Sequence, residues 1–281
     1  MDYAKLKEVF QKLLDAALDE QVYQDFLEVY PEFVPREFVQ NHGVHFKLIL
    51  RKVKFGADYV SDLLYLSKSS GDWNVVLVEL EKPQSRYFKD DAGNLHPDFQ
   101  AGLQQINRWR AWLSVQANRS YLFDTTLGPF RVPMAENQCF VKYVLVTGRR
   151  EEAIQNQKKR ALIAAEERED LKILSFDSLL HLEDRPSSRY IGALRGGGLE
   201  IISDRYSGDS LFSWVSPDQV RITDALRMDC IAHKADWLTT LDVLQNTKVL
   251  DERLDKLGKV DGPTRKQLIA AVASLGTSLP T

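Results

Sequence analysis

Cysteine is nearly absent from this 281-residue chain: only Cys139 and Cys230 occur. There is no CxxC pair and no Cys/His cluster, which excludes a zinc-ribbon type of site and a disulfide-stapled scaffold. The five histidines, His42, His45, His96, His181 and His233, have no metal-ligand spacing. No run approaches the roughly 18 apolar residues of a membrane span. The first residues, MDYAKLKEVFQKLLDAAL, mix acids with lysines and lack a signal-peptide pattern. These absences lead us to expect a cytoplasmic protein with no membrane partner. Charge of one sign is not in excess either. The net charge of −3 means that any nucleic-acid contact has to come from a local basic patch. Gly196, Gly197 and Gly198 lack the following GK[ST] of a phosphate loop. With 44% hydrophobic and 27% charged residues, the chain is otherwise of ordinary globular composition.

Hydrophobic periodicity orders the elements. Residues 3–18 put Leu6, Phe10 and Leu14 on one helical stripe, and a second helical segment stops at Pro31. From His45 the period becomes two. HFKLILRKV, ADYVSDLLYL and WNVVLVEL read as three strands of an antiparallel meander. A long helix opens at Pro97. FVKYVLVT (residues 140–147) reads as a buried strand, followed by one charged helix over 150–168 and the short strand LKILSF. That strand–helix–strand order implies a parallel crossover. Residues 185–198 read as a linker or long loop, LEIIS and LFSWV as short strands, and the chain from Thr223 as mostly helical. The expectation is an α/β/α sandwich around a mixed sheet over residues 1–184, and a C-terminal extension over 185–281.

The chemistry lies in strand-borne acids. Asp62 interrupts YVSDLLYL, Glu79 lies near the end of VVLVEL, and Glu81 follows two residues later. Period two puts Glu79 and Glu81 on one face, and a hairpin brings Asp62 across from them. Carboxylates gathered in this way repel each other, and a hard divalent cation such as Mg²⁺ resolves the conflict. The bland alternative is a solvated hairpin end.

Asp62 followed by Glu79-Leu80-Glu81-Lys82-Pro83 resembles the D-x(n)-(D/E)-x-K pattern of PD-(D/E)xK nucleases. The segment QQINRW adds a likeness to their Q-x-x-x-Y helix motif, with Gln105 and Trp109 at i, i+4. The succession FLEVYPEFV, VSDLLYLS, VVLVELEKP, FQAGLQQINRW, KYVLVTGRR and ILSFDSLL resembles the Shedu family of bacterial antiphage-defence proteins, from about residue 20 to about residue 182. That resemblance implies a restriction-endonuclease-like fold and a Mg²⁺-dependent endonuclease, Mn²⁺ being a possible substitute, acting on double-stranded DNA. Assembly as a homodimer or homotetramer is common among such domains. By the same resemblance Asp62 and Glu79 match the metal-binding acids, Gln105 the helix glutamine, and Glu20 a helix-borne glutamate that completes some sites.

One departure concerns the lysine. Glu81 occupies the place of the usual E-x-K lysine, and Lys82 comes next. Three readings stay open. Lys82 substitutes through a break in the strand before Pro83; the site is E-x-E, with Glu81 as ligand or general base; or the protein is a catalytically attenuated nucleic-acid-binding or sensor module. Backbone phosphates are expected to meet Lys47, Arg51, Lys52 and Lys54, then Arg108, then Arg149 and Arg150. The run QNQKKR (155–160) reads as a solvated helix face.

Overall fold

The computed structural model describes residues 3–40, 47–57, 59–131, 134–154, 156–181, 190–203 and 215–232, with 237, 238, 241, 242 and 245. Two helices open the chain, α1 (Tyr3–Asp15) and α2 (Glu20–Val29). The meander follows as β1 (Leu48–Phe55), β2 (Tyr59–Lys68) and β3 (Asp72–Leu80). Then come α3 (Pro97–Leu113), the short α4 (Gln116–Ser120) running into a π-helical turn, and β4 (Gln138–Val146). The crossover is α5 (Arg150–Ile154) and α6 (Gln157–Glu166), leading to β5 (Leu171–Leu174) and α7 (Phe176–Leu179). The last elements are β6 (Tyr190–Arg195), β7 (Gly198–Ser203), β8 (Val220–Ile222) and α8 (Asp224–Ala232). Among the described residues no helix is long and apolar enough to cross a membrane.

All eight strands join one mixed sheet in the order β5-β4-β3-β2-β1-β6-β7-β8. The meander is antiparallel, as its turn signals imply, and β3, β4 and β5 run parallel. Each face carries a core. On one side α1 and α2 lay Leu6, Phe10, Leu14, Tyr23 and Leu27 against Ile49, Leu63, Val76 and Val144. Phe10 stacks on Phe26 with centroids 4.6 Å apart. On the other side α3 buries Phe99, Ile106, Trp109 and Leu113 against Leu50, Leu64, Val75 and Leu145. The layering is therefore helix, sheet, helix.

Two expectations need correction. The segment read as a linker contains β6, which pairs parallel with β1, so the sheet continues into the C-terminal region. Its Tyr190, Ile191, Gly192 and Ala193 are buried, but the glycine and serine run before and after them masks the strand pattern. Gly196 and Gly197, at φ +55° and +75°, make the tight turn into β7, where a two-residue hairpin loop favours left-handed residues. The single helix expected over 150–168 is two helices. Asn156 is extended and caps α6, its side chain accepting from Lys159 N–H at 2.8 Å. LEIIS is strand β7 as expected. LFSWV, Val215 excepted, and the chain beyond 245 lie outside the described residues.

The β6–β7 hairpin gives a test. A Cβ on Gly192 would stand 2.5 Å from Leu199 Cδ1 and 3.3 Å from Glu200 O. Gly192→Val is expected to cost about 1–3 kcal/mol by overpacking. Hydrogen exchange should accelerate in β6 and β7 while β2–β4 stay protected; unchanged protection in the hairpin contradicts the pairing.

Candidate active site

The site begins with a slip in the sheet. On β1 the residues facing the α3 core are Leu48 and Leu50, then Val53 and Phe55. A regular strand alternates strictly, so one residue is skipped, and it is Lys52, with φ +44°. The ladder pairs Arg51 with Leu63 and Val53 with Ser61, which leaves Lys52 and Asp62 facing each other between those rungs. Their side chains meet there. Lys52 Nζ lies 2.5 Å from Asp62 Oδ1. Asp62 Oδ2 accepts the Leu80 N–H at 2.7 Å. The carboxylate, 7% exposed, thus carries the β2–β3 pairing past its last backbone rung, Leu63↔Val78.

β3 brings the other acids. Its pairing with β4 continues beyond Leu80, because Glu81 N–H donates to Val146 O at 2.9 Å. The alternation therefore holds: Glu79 and Glu81 share a face, both part-buried, and Lys82 is exposed. α3 comes very close at this point. A Cβ on Gly102 would stand 2.9 Å from Leu145 Cδ1 and 3.4 Å from Glu81 Cγ, so only glycine admits the helix there without displacing a neighbour. Gln105 lies on the same helix one turn beyond Gly102, half-buried. Trp109 is fully buried edge-on to Phe55, at 5.4 Å.

These carboxyls feel one another. Burial pushes Glu79 up to about 9, with the charges of Asp62, Glu81 and Glu20 adding to the rise and Lys52 opposing it. Burial pushes Glu81 up to about 7, helped by Glu20, Asp62 and Asp98, and Lys82 opposes that. Glu20, at the start of α2, is raised by burial and by Asp62, against the pull of Lys52 and Lys82. The four acids picked out from the sequence are thus brought into one electrostatic neighbourhood. Among the described residues no three His, Cys, Asp or Glu side chains form a ready chelate. The donor set nevertheless suits a hard divalent ion: Asp62 with three glutamates, Glu20, Glu79 and Glu81, whose proton affinity burial and neighbouring charge raise, on side chains that can rotate.

The basic residues are not gathered in the same way. Arg51 turns to α2 and pairs with Glu28 at 2.9 Å. Arg149 is committed to Asp177 through Nε and Nη2 and to Asp15 through Nη1. Burial raises Asp177, but the Arg149 hydrogen bonds and the Arg150 N–H outweigh it and hold the carboxyl below its usual range. Lys47 is half-buried, while Lys54, Arg108 and Arg150 are exposed. Within the run read as a solvated face, Lys159 is instead buried, 3.3 Å from Asp91 and over the Phe88 ring.

Sequence reasoning placed Lys52 among phosphate contacts and missed its place on Asp62. The signal was countable: a hairpin centred on residue 57 sets position 52 opposite 62. It also passed over Gln24, one turn beyond Glu20. Gln24 is 1% exposed, donates to Glu28 at 2.8 Å, and its Oε1 has no hydrogen-bond partner among the described residues.

The raised carboxyls set a pH dependence. Glu79 and Glu81 bind protons more tightly when folded, so their contribution to stability is complete below 4.5 and is lost as pH rises through about 7 and about 9. Without divalent ions the melting temperature should fall over that window, and Glu79→Gln should flatten the upper part. A rising or flat profile in the parent contradicts the crowding.

Against known families, the model described as Shedu protein SduA, C-terminal, matches residues 17–180, which takes in α2, both helix layers and β1 to β5. None of the curated proteins matches the chain.

Proposed function

The chain belongs to the Shedu family, whose membership implies a part in antiphage defence, and from that premise we propose that it is a metal-dependent PD-(D/E)xK nuclease cleaving DNA. The observation that carries the reading is the convergence of Asp62, Glu79 and Glu81 at one end of the sheet, with Glu20 close enough to raise the proton affinity of the two glutamates. The helix–sheet–helix layering and the parallel β3–β4 pair support a restriction-endonuclease-like core.

Roles follow from position. Asp62, Glu79 and Glu81, with Glu20 beside them, would hold Mg²⁺ or Mn²⁺. When bound, such an ion supplies positive charge to a phosphoryl oxygen. Glu81, whose proton affinity lies near neutrality, is suited to take a proton from the attacking water. Lys52 supplies the ammonium that the E-x-K pattern lacks at residue 81. It already neutralises Asp62, and once an ion takes over that task its amine is free for a phosphate oxygen. Lys82, exposed and one residue beyond Glu81, is left to contact the backbone. Gln105 on α3 would orient the strand or the water. Lys47, Lys54 and Arg108 would meet phosphates of double-stranded DNA without reading bases. Arg51 and Arg149, tied in ion pairs, serve the fold instead. The chain would act as a homodimer or homotetramer.

The second reading, an attenuated binding or sensor module, is favoured by one observation: Lys52 sits on the carboxylate that a metal would need. Cleavage assays on plasmid and linear duplex DNA with Mg²⁺, Mn²⁺ and Ca²⁺ decide between the two. Cleavage should require the metal. Glu81→Ala and Lys52→Met should each lower its rate by roughly two or more orders of magnitude, and Lys82→Ala by much less. Salt-dependent DNA binding that survives Glu79→Ala, without cleavage by either protein, favours the sensor. If Lys82→Ala abolishes cleavage while Glu81→Ala is mild, the roles given to Glu81 and Lys52 are wrong.

A further inference from the structure

We propose that a cleft outside the carboxyl ends of β4 and β5 is a binding site for a nucleoside monophosphate, distinct from the strand acids and independent of the nuclease reading. The cleft measures about 470 Å³ and is lined by Tyr87, Arg150, Arg160, Ser175, Ser178 and His181, among others. That is within the roughly 300–1,000 Å³ usual for small-ligand pockets. Its position is the one where α/β sheets bind ligands, beyond the carboxyl ends of parallel strands.

Charge argues for the phosphate. Two arginines line the cleft and no carboxylate does. Among the described residues neither guanidinium is engaged; Arg150 and Arg160 bond through their backbone N–H groups, to Asp177 and Asn156. Two acids on neighbouring elements, Asp177 and Glu152, are already committed. Asp177 receives the Arg149 fork, and Glu152 accepts the N–H groups of Tyr87 and Phe88. Two guanidiniums lining one cleft give it a positive potential, and a dianionic phosphate meets that with charge-assisted bonds. Ser175 and Ser178, with hydroxyls 2.9 Å apart, add neutral donors. Shape argues for more than a bare ion. Ala153, Ile154, Ile163 and Ile173 form an apolar wall beside the basic groups, and Tyr87 is fixed by its hydroxyl donating to Thr147 O. A base can lie against such a wall, which inorganic phosphate cannot use.

The test uses the full chain with a chelator present, so that no divalent ion mediates binding. Calorimetry is run with AMP, inorganic phosphate and adenosine. AMP should bind, phosphate more weakly, and adenosine not detectably. Arg150→Gln and Arg160→Gln should each weaken AMP by about tenfold or more, the usual scale for one charge-assisted contact. Arg160→Lys, which keeps the charge and loses the fork, should fall between, and it preserves the test if a glutamine variant melts early. AMP failing to bind, binding equally well to the glutamine variants, or binding no better than phosphate or adenosine overturns the proposal.

Discussion

The carboxylate of Asp62 is the point on which the site depends. It lies between two strands whose pairing register continues while the alternation of core-facing side chains on β1 breaks at Lys52, and two donors hold it, the Lys52 ammonium and the Leu80 N–H. Each is required by the other's geometry. The left-handed turn of Lys52 swings its side chain out of the core pattern, and a backbone so placed is costly unless its surroundings over-determine it. The ion pair with a largely buried acid does so. Without the lysine, the carboxylate would be a nearly isolated buried charge, and removing one partner of such a pair is far more damaging than never having built it.

The rest of the sheet aims at this point. β3 carries Glu79 and Glu81 past the last rung shared with β2, and β4 supports that overhang through Val146 O. Gly102 lets α3 close over it, and α2 delivers Glu20 from the opposite layer. The outcome is a group of acids that hold protons above their ordinary range because burial and neighbouring charge both oppose ionisation. Packing energy from the two cores tolerates this local conflict, and a divalent ion is the simplest agent that turns it into attraction.

Much of this was legible in the chain. Meander, crossover and opening helices follow from periodicities of two and 3.6, and the shared face of Glu79 and Glu81 follows from alternation alone. The resemblance to the Shedu family on residues 20–182 agrees with the match over 17–180. What stayed hidden has specific causes. Period two cannot show that β1 skips at Lys52, because a slip costs one residue and leaves both flanking patterns intact. Strand β6 is short and holds a glycine, so composition marked it as linker although β1 covers its edge. Arg149 looked like a phosphate contact because its partners, Asp177 and Asp15, are far away in sequence.

The most direct measurement is anomalous diffraction from crystals of this chain soaked in Mn²⁺. The account places a Mn²⁺ peak within bonding distance of Asp62 and Glu79, with Glu81 facing the ion and Lys52 Nζ moved off the Asp62 carboxylate. A saturating soak that leaves no peak there, with Lys52 still paired to Asp62, contradicts it.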